Sequence, residues 1–336
     1  MSDVSGLEIS DLLGLSQPLT KLVETVSGGL DTLYKPWHLK RMAKARAEEI
    51  KLISEAITQN AMLPINYQHG NVGIDSTDVQ NLLVRTQQRL LQDEVKKQQN
   101  MDAVVANAAE ELLTKEKVSE TPVDEDWSTR FRNIAKDVSS EEMQFIWGKV
   151  LACEVEKPGS FSLRTLETIR NLSKTEAATF QRIIPFIIQM NPECFFTSDK
   201  ELMEKYGVVY ADIMVLDECG LVELSGVSYN PMIKKGDGRI LYTDERAAVI
   251  DGTSEASVKV TFYAYALTNA GRELYQILAH SPNNDYFMDV CENIFKKNTN
   301  KIGMTIHKTF RNKLGELMYY NEAIRVFKNA TTAKVE

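Results

Sequence analysis

Four histidines (His38, His69, His280 and His307) and four cysteines (Cys153, Cys194, Cys219 and Cys291) are the side chains here best suited to nucleophilic, general-base or metal chemistry. Their spacing works against those uses. No two histidines stand at a spacing that shares a metal, and no two cysteines form a C-x-x-C pair, so no metal is expected. The cysteines read as reduced, mostly buried thiols. A phosphate-cradling loop would need G-x-x-x-x-G-K followed by Ser or Thr, and a nucleophile elbow would need G-x-S-x-G; the sequence has neither. Ser160, in the stretch PGSFS, has no obvious base. Triplets such as Glu94-Val95-Lys96 fall inside helical patterns, where they read as surface ion pairs and not as nuclease ligands. The expectation is therefore a protein without catalytic residues, metal or small-molecule cofactor, which acts by contact.

Contact chemistry concentrates in two basic stretches. Pro18 suits the first turn of a helix in which Leu19, Leu22, Val23, Val26, Leu30 and Leu33 share one side. Behind it, Tyr34, Lys35, Trp37, Lys40, Arg41, Lys44 and Arg46 fall in a run without acid. An amphipathic helix followed by aromatics and basic residues describes a segment lying on an anionic membrane surface. Packing of the same stripe on the protein's own helices is the competing reading, favoured by Glu24 and Asp31 on the polar side. Near the other end, Lys296, Lys297, Lys301, His307, Lys308, Arg311 and Lys313 occupy eighteen acid-free residues interleaved with Phe310, as a nucleic-acid surface would require. A solvated face of a terminal hairpin and helix explains those charges equally well.

The elements that must position these stretches are mostly helical. A long pattern from Ser76 or Thr77 to about Lys117 carries Leu82, Leu83, Leu90, Leu91, Met101, Val104, Val105, Leu112 and Leu113. Its polar waist at Lys96–Asn100 suggests two arms that fold into a helical hairpin. Asp124 or Asp126 starts a helix bearing Trp127, Phe131 and Ile134; Ser139 with Glu142 forms a capping box before Met143, Ile146, Trp147, Val150 and Leu151; Ser173 with Glu176 forms another. The two tryptophans predict a compact aromatic hub, read as a packed core in preference to a ligand cleft.

Within 193–280, Ser198 with Glu201 starts a short helix, Gly207 turns the chain, Val208–Cys219 forms a second helix, and Leu221–Leu224 a strand. Strand-like runs at Arg239–Tyr242, Ala247–Ile250 and Val258–Ala266 precede a helix capped by Thr268, which is the order of a winged helix. Its recognition helix would carry Asp212, Asp217 and Glu218 and no Lys or Arg, so it would repel a phosphate backbone. The module is read as an interaction or structural domain.

The hub pattern Asp126-Trp127, Arg130-Phe131, Glu142, Gln144, Trp147, Pro158-Gly159-Ser160 and Arg164-Thr165 resembles the signature of an uncharacterised bacterial domain family. The runs from Leu15 to Leu22 and Leu267 to Leu274 resemble the same family. More loosely, an amphipathic N-terminus, a tryptophan-bearing helix and a late L-T-x-x-G turn are similar in order to the abortive-infection alpha proteins of bacteria. The first resemblance implies no assigned activity, the second phage defence; neither brings catalytic residues.

At 336 residues the chain has room for about two domains, and a net charge of −8 argues against wholesale coating of nucleic acid. The expected organisation is 1–60, amphipathic N-terminal helices; 61–120, a long helix and linker; 121–192, the hub; 193–280, a winged-helix-like domain; and 281–336, a basic C-terminal α/β tail. The fold class expected is mainly α with a C-terminal α+β winged-helix-like domain, an N-terminal amphipathic helix and a long helical hairpin. The functional expectation is a non-enzymatic interaction or regulatory protein of phage defence, acting through a protein partner or self-association. It is expected in the cytoplasm, with the inner membrane surface as a peripheral site; the alternative is a nucleic-acid-binding winged-helix regulator using the C-terminal basic patch.

Overall fold

The computed structural model describes residues 16–27, 76–278, 281–312 and 316–328. The chain divides into two compact units, Met1–Leu163 and Arg164–Glu336.

The first unit is helical where it is described: α1 (Gln17–Ser27), α2 (Ser76–Leu112), α3 (Glu125–Ala135) and α4 (Glu141–Glu156). Local chemistry sets most of these bounds. Asp124 caps α3 by accepting the Trp127 N–H at 2.9 Å. Ser140, one residue later than expected, caps α4; its hydroxyl accepts from the Met143 N–H at 3.4 Å and donates to Glu142 at 2.5 Å. The 37 residues of α2 run unbroken through the polar waist, so the expected hairpin of two arms is not formed. That waist is satisfied within the helix and by its neighbour: Lys97 donates to Glu94 at 2.7 Å, Gln98 to Asp102 at 2.7 Å, and buried Asn100 to the Lys136 carbonyl at 2.9 Å. Farther along, α2 and α4 lie close because Gly148 has no side chain; a Cβ there would stand 2.4 Å from Asn107 Cβ. Val104, Ala108 and Leu112 of α2 and Trp147 and Val150 of α4 are fully buried.

The second unit is mainly β, which overturns the expectation of a mainly α chain ending in a winged helix. After α5 (Leu163–Asn171) and α6 (Lys174–Ile183), strands β1 (Ile188–Met190) and β2 (Glu193–Thr197) precede α7 (Lys200–Tyr206) and α8 (Tyr210–Glu218). Next come β3 (Val222–Tyr229), β4 (Met232–Ile233), β5 (Arg239–Tyr242), β6 (Arg246–Gly252), β7 (Val258–Lys259) and β8 (Phe262–Leu267). Helices α9 (Asn269–Ile277) and α10 (Asn284–Lys297) lead into the hairpin β9 (Ile302–Arg311) and β10 (Leu317–Phe327). Eight strands form one antiparallel sheet in the order β10-β9-β6-β5-β1-β2-β8-β3, and β4 pairs with β7 apart from it. A winged helix would close its strands within 193–280. Here the strands expected at Arg239–Tyr242 and Ala247–Ile250, β5 and β6, lie between β1 and β9, so strands from before and after the region complete the sheet.

Pro185 marks the change from helix to strand. Ile187 and Ile188 continue the apolar run of α6, but proline lacks the N–H that a further helical turn needs, and the chain passes through a 3-10 turn at Ile184–Phe186 into β1. One face of the sheet is covered by α10, whose Tyr286, Phe287, Val290, Cys291 and Ile294 join Phe195, Leu241, Ala248, Ile250, Met304 and Ile306 in one core.

Candidate functional site

The hub residues of the first unit form a core. Trp127 stacks on Phe131 with ring centres 5.1 Å apart, and Phe131 meets the edge of Trp147 at 5.5 Å. Trp127 is 3% exposed and Trp147 not at all. The Trp127 indole N–H donates to the Phe161 carbonyl at 2.8 Å, and buried Glu154 accepts the N–H groups of Gly159 and Phe161 at 2.6 and 2.9 Å. Gly159 takes a φ of +85°, which favours glycine, and Pro158 and Ser160 belong to the same turn. Gln144 braces the loop before α4 by donating to the Val138 carbonyl at 2.9 Å. Arg130, Glu142 and Arg164 are exposed and Thr165 is buried. These residues thus place an indole and a carboxylate around one tight turn.

Of the N-terminal candidates, Leu19, Leu22 and Val26 are described; Leu22 and Val26 are buried, and Leu19 is partly so. The amide of Gln17 brackets the backbone of Val118, donating to its carbonyl at 3.1 Å and accepting its N–H at 3.0 Å. Arg132 donates to the Thr25 carbonyl at 3.3 Å. Leu30, Tyr34, Lys35, Trp37, Lys40, Arg41, Lys44 and Arg46 lie outside the described residues. Among the described residues no helix is long and apolar enough to cross a membrane.

The C-terminal basic candidates do not gather into one surface. Lys296 pairs with Glu292 and Lys297 with Asp199, each at 2.7 Å, in the last turn of α10. Lys301 precedes β9, whereas Lys308 and Arg311 stand near its far end, about 30 Å along an extended strand. Arg311 pairs with Asp244 at 2.7 Å, Lys308 is exposed, and Lys313 lies outside the described residues. His307 is buried: its Nδ1–H donates to the Tyr320 carbonyl and its Nε2 shares a hydrogen bond with the Thr305 hydroxyl, both at 2.8 Å.

Lys297 belongs instead to a cleft of about 610 Å³ in the second unit, lined also by Asp199, Ser225, Ser228, Tyr263 and Asn293. The Asp199 carboxylate caps α7 through the Leu202 N–H at 3.3 Å and accepts from Asn293 at 3.2 Å and Lys297 at 2.7 Å. The Lys297 hydrogen bond is the main reason its carboxyl is held below the usual range. These ions are committed to each other. Nucleophilic chemistry is disfavoured elsewhere too: burial pushes the Cys153 and Cys194 thiols up to about 11 and Cys219 to about 12, and raises Cys291 as well. Among the described residues no three His, Cys, Asp or Glu side chains stand together as a metal site.

The hairpin β9–β10 presents a different surface. β10 pairs with β9 on one side, and among the described residues nothing pairs with its other side. Met318, Tyr320, Ile324 and Val326 are each 45% exposed or more, while Phe327 turns inward onto Phe295 at 5.4 Å. Between Leu317 and Phe327 the only charges are Glu322 and Arg325. Arg325 donates to Glu292 at 2.7 Å and lies 4.6 Å over the Phe327 ring; Glu322 is exposed. Two irregularities, between Tyr319 and Ala323 and between Ala323 and Arg325, interrupt the pairing with β9. The cleft residues Asp199, Asn293 and Tyr263 and the strand β10 are not singled out by motif spacing. For β10 the available signal is an aromatic and β-branched run with two charges.

The family described as "Protein of unknown function (DUF2806)" matches residues 84–291, more than half of the chain; the matched stretch begins within α2 and ends within α10, before the hairpin. No curated protein and no solved structure matches.

Proposed function

We propose that this chain, which belongs to the DUF2806 family of proteins of unknown function, is a non-enzymatic interaction protein that engages a protein partner by strand addition at β10. The observation behind this reading is the outer side of β10, eleven residues long, unpaired among the described residues and with apolar side chains exposed along it. Added strands gain affinity from main-chain hydrogen bonds and specificity from alternate side chains, and a long apolar edge is the surface that takes them. The mutually paired ions of the cleft and the protonated thiols support contact over chemistry. The covered stripe of α1 favours a protein partner over a membrane surface, and the dispersal of the basic residues disfavours a nucleic acid. Phage defence, implied by the abortive-infection resemblance, is the setting we attach to it.

A photo-crosslinking residue in place of Tyr320, in the native host, tests the reading, with the same residue at exposed Met214 of α8 as control. Discrete protein adducts identified at position 320 and not at 214 are expected. Absence of any protein adduct at 320, or the same adducts at both positions, overturns it.

A further inference from the structure

We propose that the cleft beside Asp199 in the second unit binds a small aromatic anion, with its ring laid on Tyr263 and its acidic group held by Lys297 and Lys200. Binding here is independent of strand addition at β10. The cleft exists because two regular elements stop around it. Strand β2 ends at Thr197, and the ladder between β3 and β8 jumps from the pair Glu223–Ala266 to the pair Val227–Ala264, so that Leu224, Ser225 and Gly226 stand opposite the single residue Tyr265. The opening of about 610 Å³ is far larger than an inorganic anion needs, and it falls in the range of about 300–1,000 Å³ that drug-sized ligands occupy.

Charge sets the sign of the ligand. The chain carries a net −8, yet the charged side chains lining the cleft are two lysines and one aspartate. Asp199 is nearly saturated: a carboxylate has about four acceptor positions, and its oxygens already take the Leu202 N–H, Asn293 and Lys297. Lys297 has spent one of an ammonium's three donors on that bond, and its side chain is 49% exposed. Lys200 is 87% exposed and reaches Glu204 only at 3.7 Å. The charged donors are spare and the charged acceptor is used up, which suits a carboxylate or a phosphate and not an amine. Tyr263 supplies the place for a ring. Tyr265, two residues along on the same face of β8, is spent on Phe196 at 5.5 Å, whereas Tyr263 stands on the cleft wall 61% exposed. A planar ligand stacked on it takes both ring faces out of water. A bare anion leaves Tyr263 unused, and a neutral ring leaves the lysines unused.

The test is titration calorimetry on the full chain with two sets of aromatic anions, the monophosphates of adenosine and uridine and the carboxylates benzoate and indole-3-acetate, against adenosine and inorganic phosphate. At least one aromatic anion is expected to bind with a dissociation constant below about 1 mM, and adenosine and phosphate at least about tenfold more weakly. The set that binds names the acidic group of the ligand. Tyr263→Ala, at an exposed position that folding does not need, weakens that binding about tenfold. Lys297→Gln, which keeps an N–H for Asp199, weakens it by about the same factor and flattens its salt dependence, and melting curves confirm that both variants are folded. Binding of every aromatic anion weaker than about 1 mM, binding that neither variant changes, or phosphate bound as tightly as the aromatic anions overturns the assignment.

Discussion

The sheet of the second unit ends in two edges built on opposite principles. At one end, β3 is defended. Its Leu224 N–H is already given to Asp217 at 2.8 Å, its pairing with β8 is broken between Glu223 and Val227, and Gly226 turns there with a φ of +66°. Its root is fixed as well, because α9 approaches so closely that a Cβ on Gly271 would lie 2.1 Å from the Leu221 carbonyl oxygen. At the other end, β10 has eleven residues, two charges and an outer side that nothing among the described residues pairs with. Its irregularities lie in the pairing with β9, and no side chain among the described residues caps its outer N–H groups as Asp217 caps Leu224. An edge that is broken by a bulge and has a donor satisfied internally offers less to another chain, which is why the proposed contact is at β10.

The largest test of this contrast is Gly271→Ala. The methyl group must displace backbone at the root of β3, so the second unit loses about 3 kcal/mol, seen as a lower urea midpoint, and a change below about 0.5 kcal/mol would mean that β3 is not buttressed this way. Next comes Ile324→Lys in β10, which leaves stability within about 0.5 kcal/mol yet removes most of the protein adduct at position 320; a loss of stability as large as that of Gly271→Ala would make β10 part of the core instead of an interface. Asp217→Ala is smaller. It strips the Leu224 N–H of its acceptor at an exposed place and costs about 1 kcal/mol, and it should make β3 newly able to pair, read as faster amide exchange there and as aggregation on heating.

The smallest effect is one of pH. The hydrogen bond from Lys296, with Arg325 adding to it, holds the Glu292 carboxyl below its ordinary value of 4.5. A depressed carboxylate contributes stability above its unfolded value and loses that contribution as pH falls through the folded one. Acidification well below pH 4.5 therefore weakens the hold on Arg325, and amide exchange near the end of β10, corrected for its intrinsic pH dependence, rises by more than at β3. Arg325→Gln should remove the difference; a rise that persists in this variant would assign the loosening to another group.

Much of the helical structure was legible because its signals are local. Asp124 caps α3, Ser173 and Glu176 exchange the reciprocal bonds of a capping box at 3.2 and 2.6 Å, and Thr268 caps α9 through the Gly271 N–H at 3.1 Å. The strands β5 and β6 were legible from short apolar runs, but their neighbours were not. Of the candidate surfaces, the basic residues from Lys296 to Arg311 could be counted in the sequence, but their separation along β9 and their carboxylate partners could not. The tie between Lys297 and Asp199 spans 98 residues, and no periodicity reports it.

What the sequence alone determined is roughly where helices start, with the caps expected at Ser139 and Ser198 each falling on the next residue, which sides are apolar, and that the hub would bury two indoles, since these depend on bonds and side chains within a few residues. What only the tertiary structure decided is the partner of each strand: Ala247 meets His307 and Phe195 meets Ala266 across long stretches of chain. A strand's side chains reveal that it is half buried, not against what. The order of the sheet, and with it the exposure of β10, follows from which long-range pairing buries most apolar surface while satisfying the backbone.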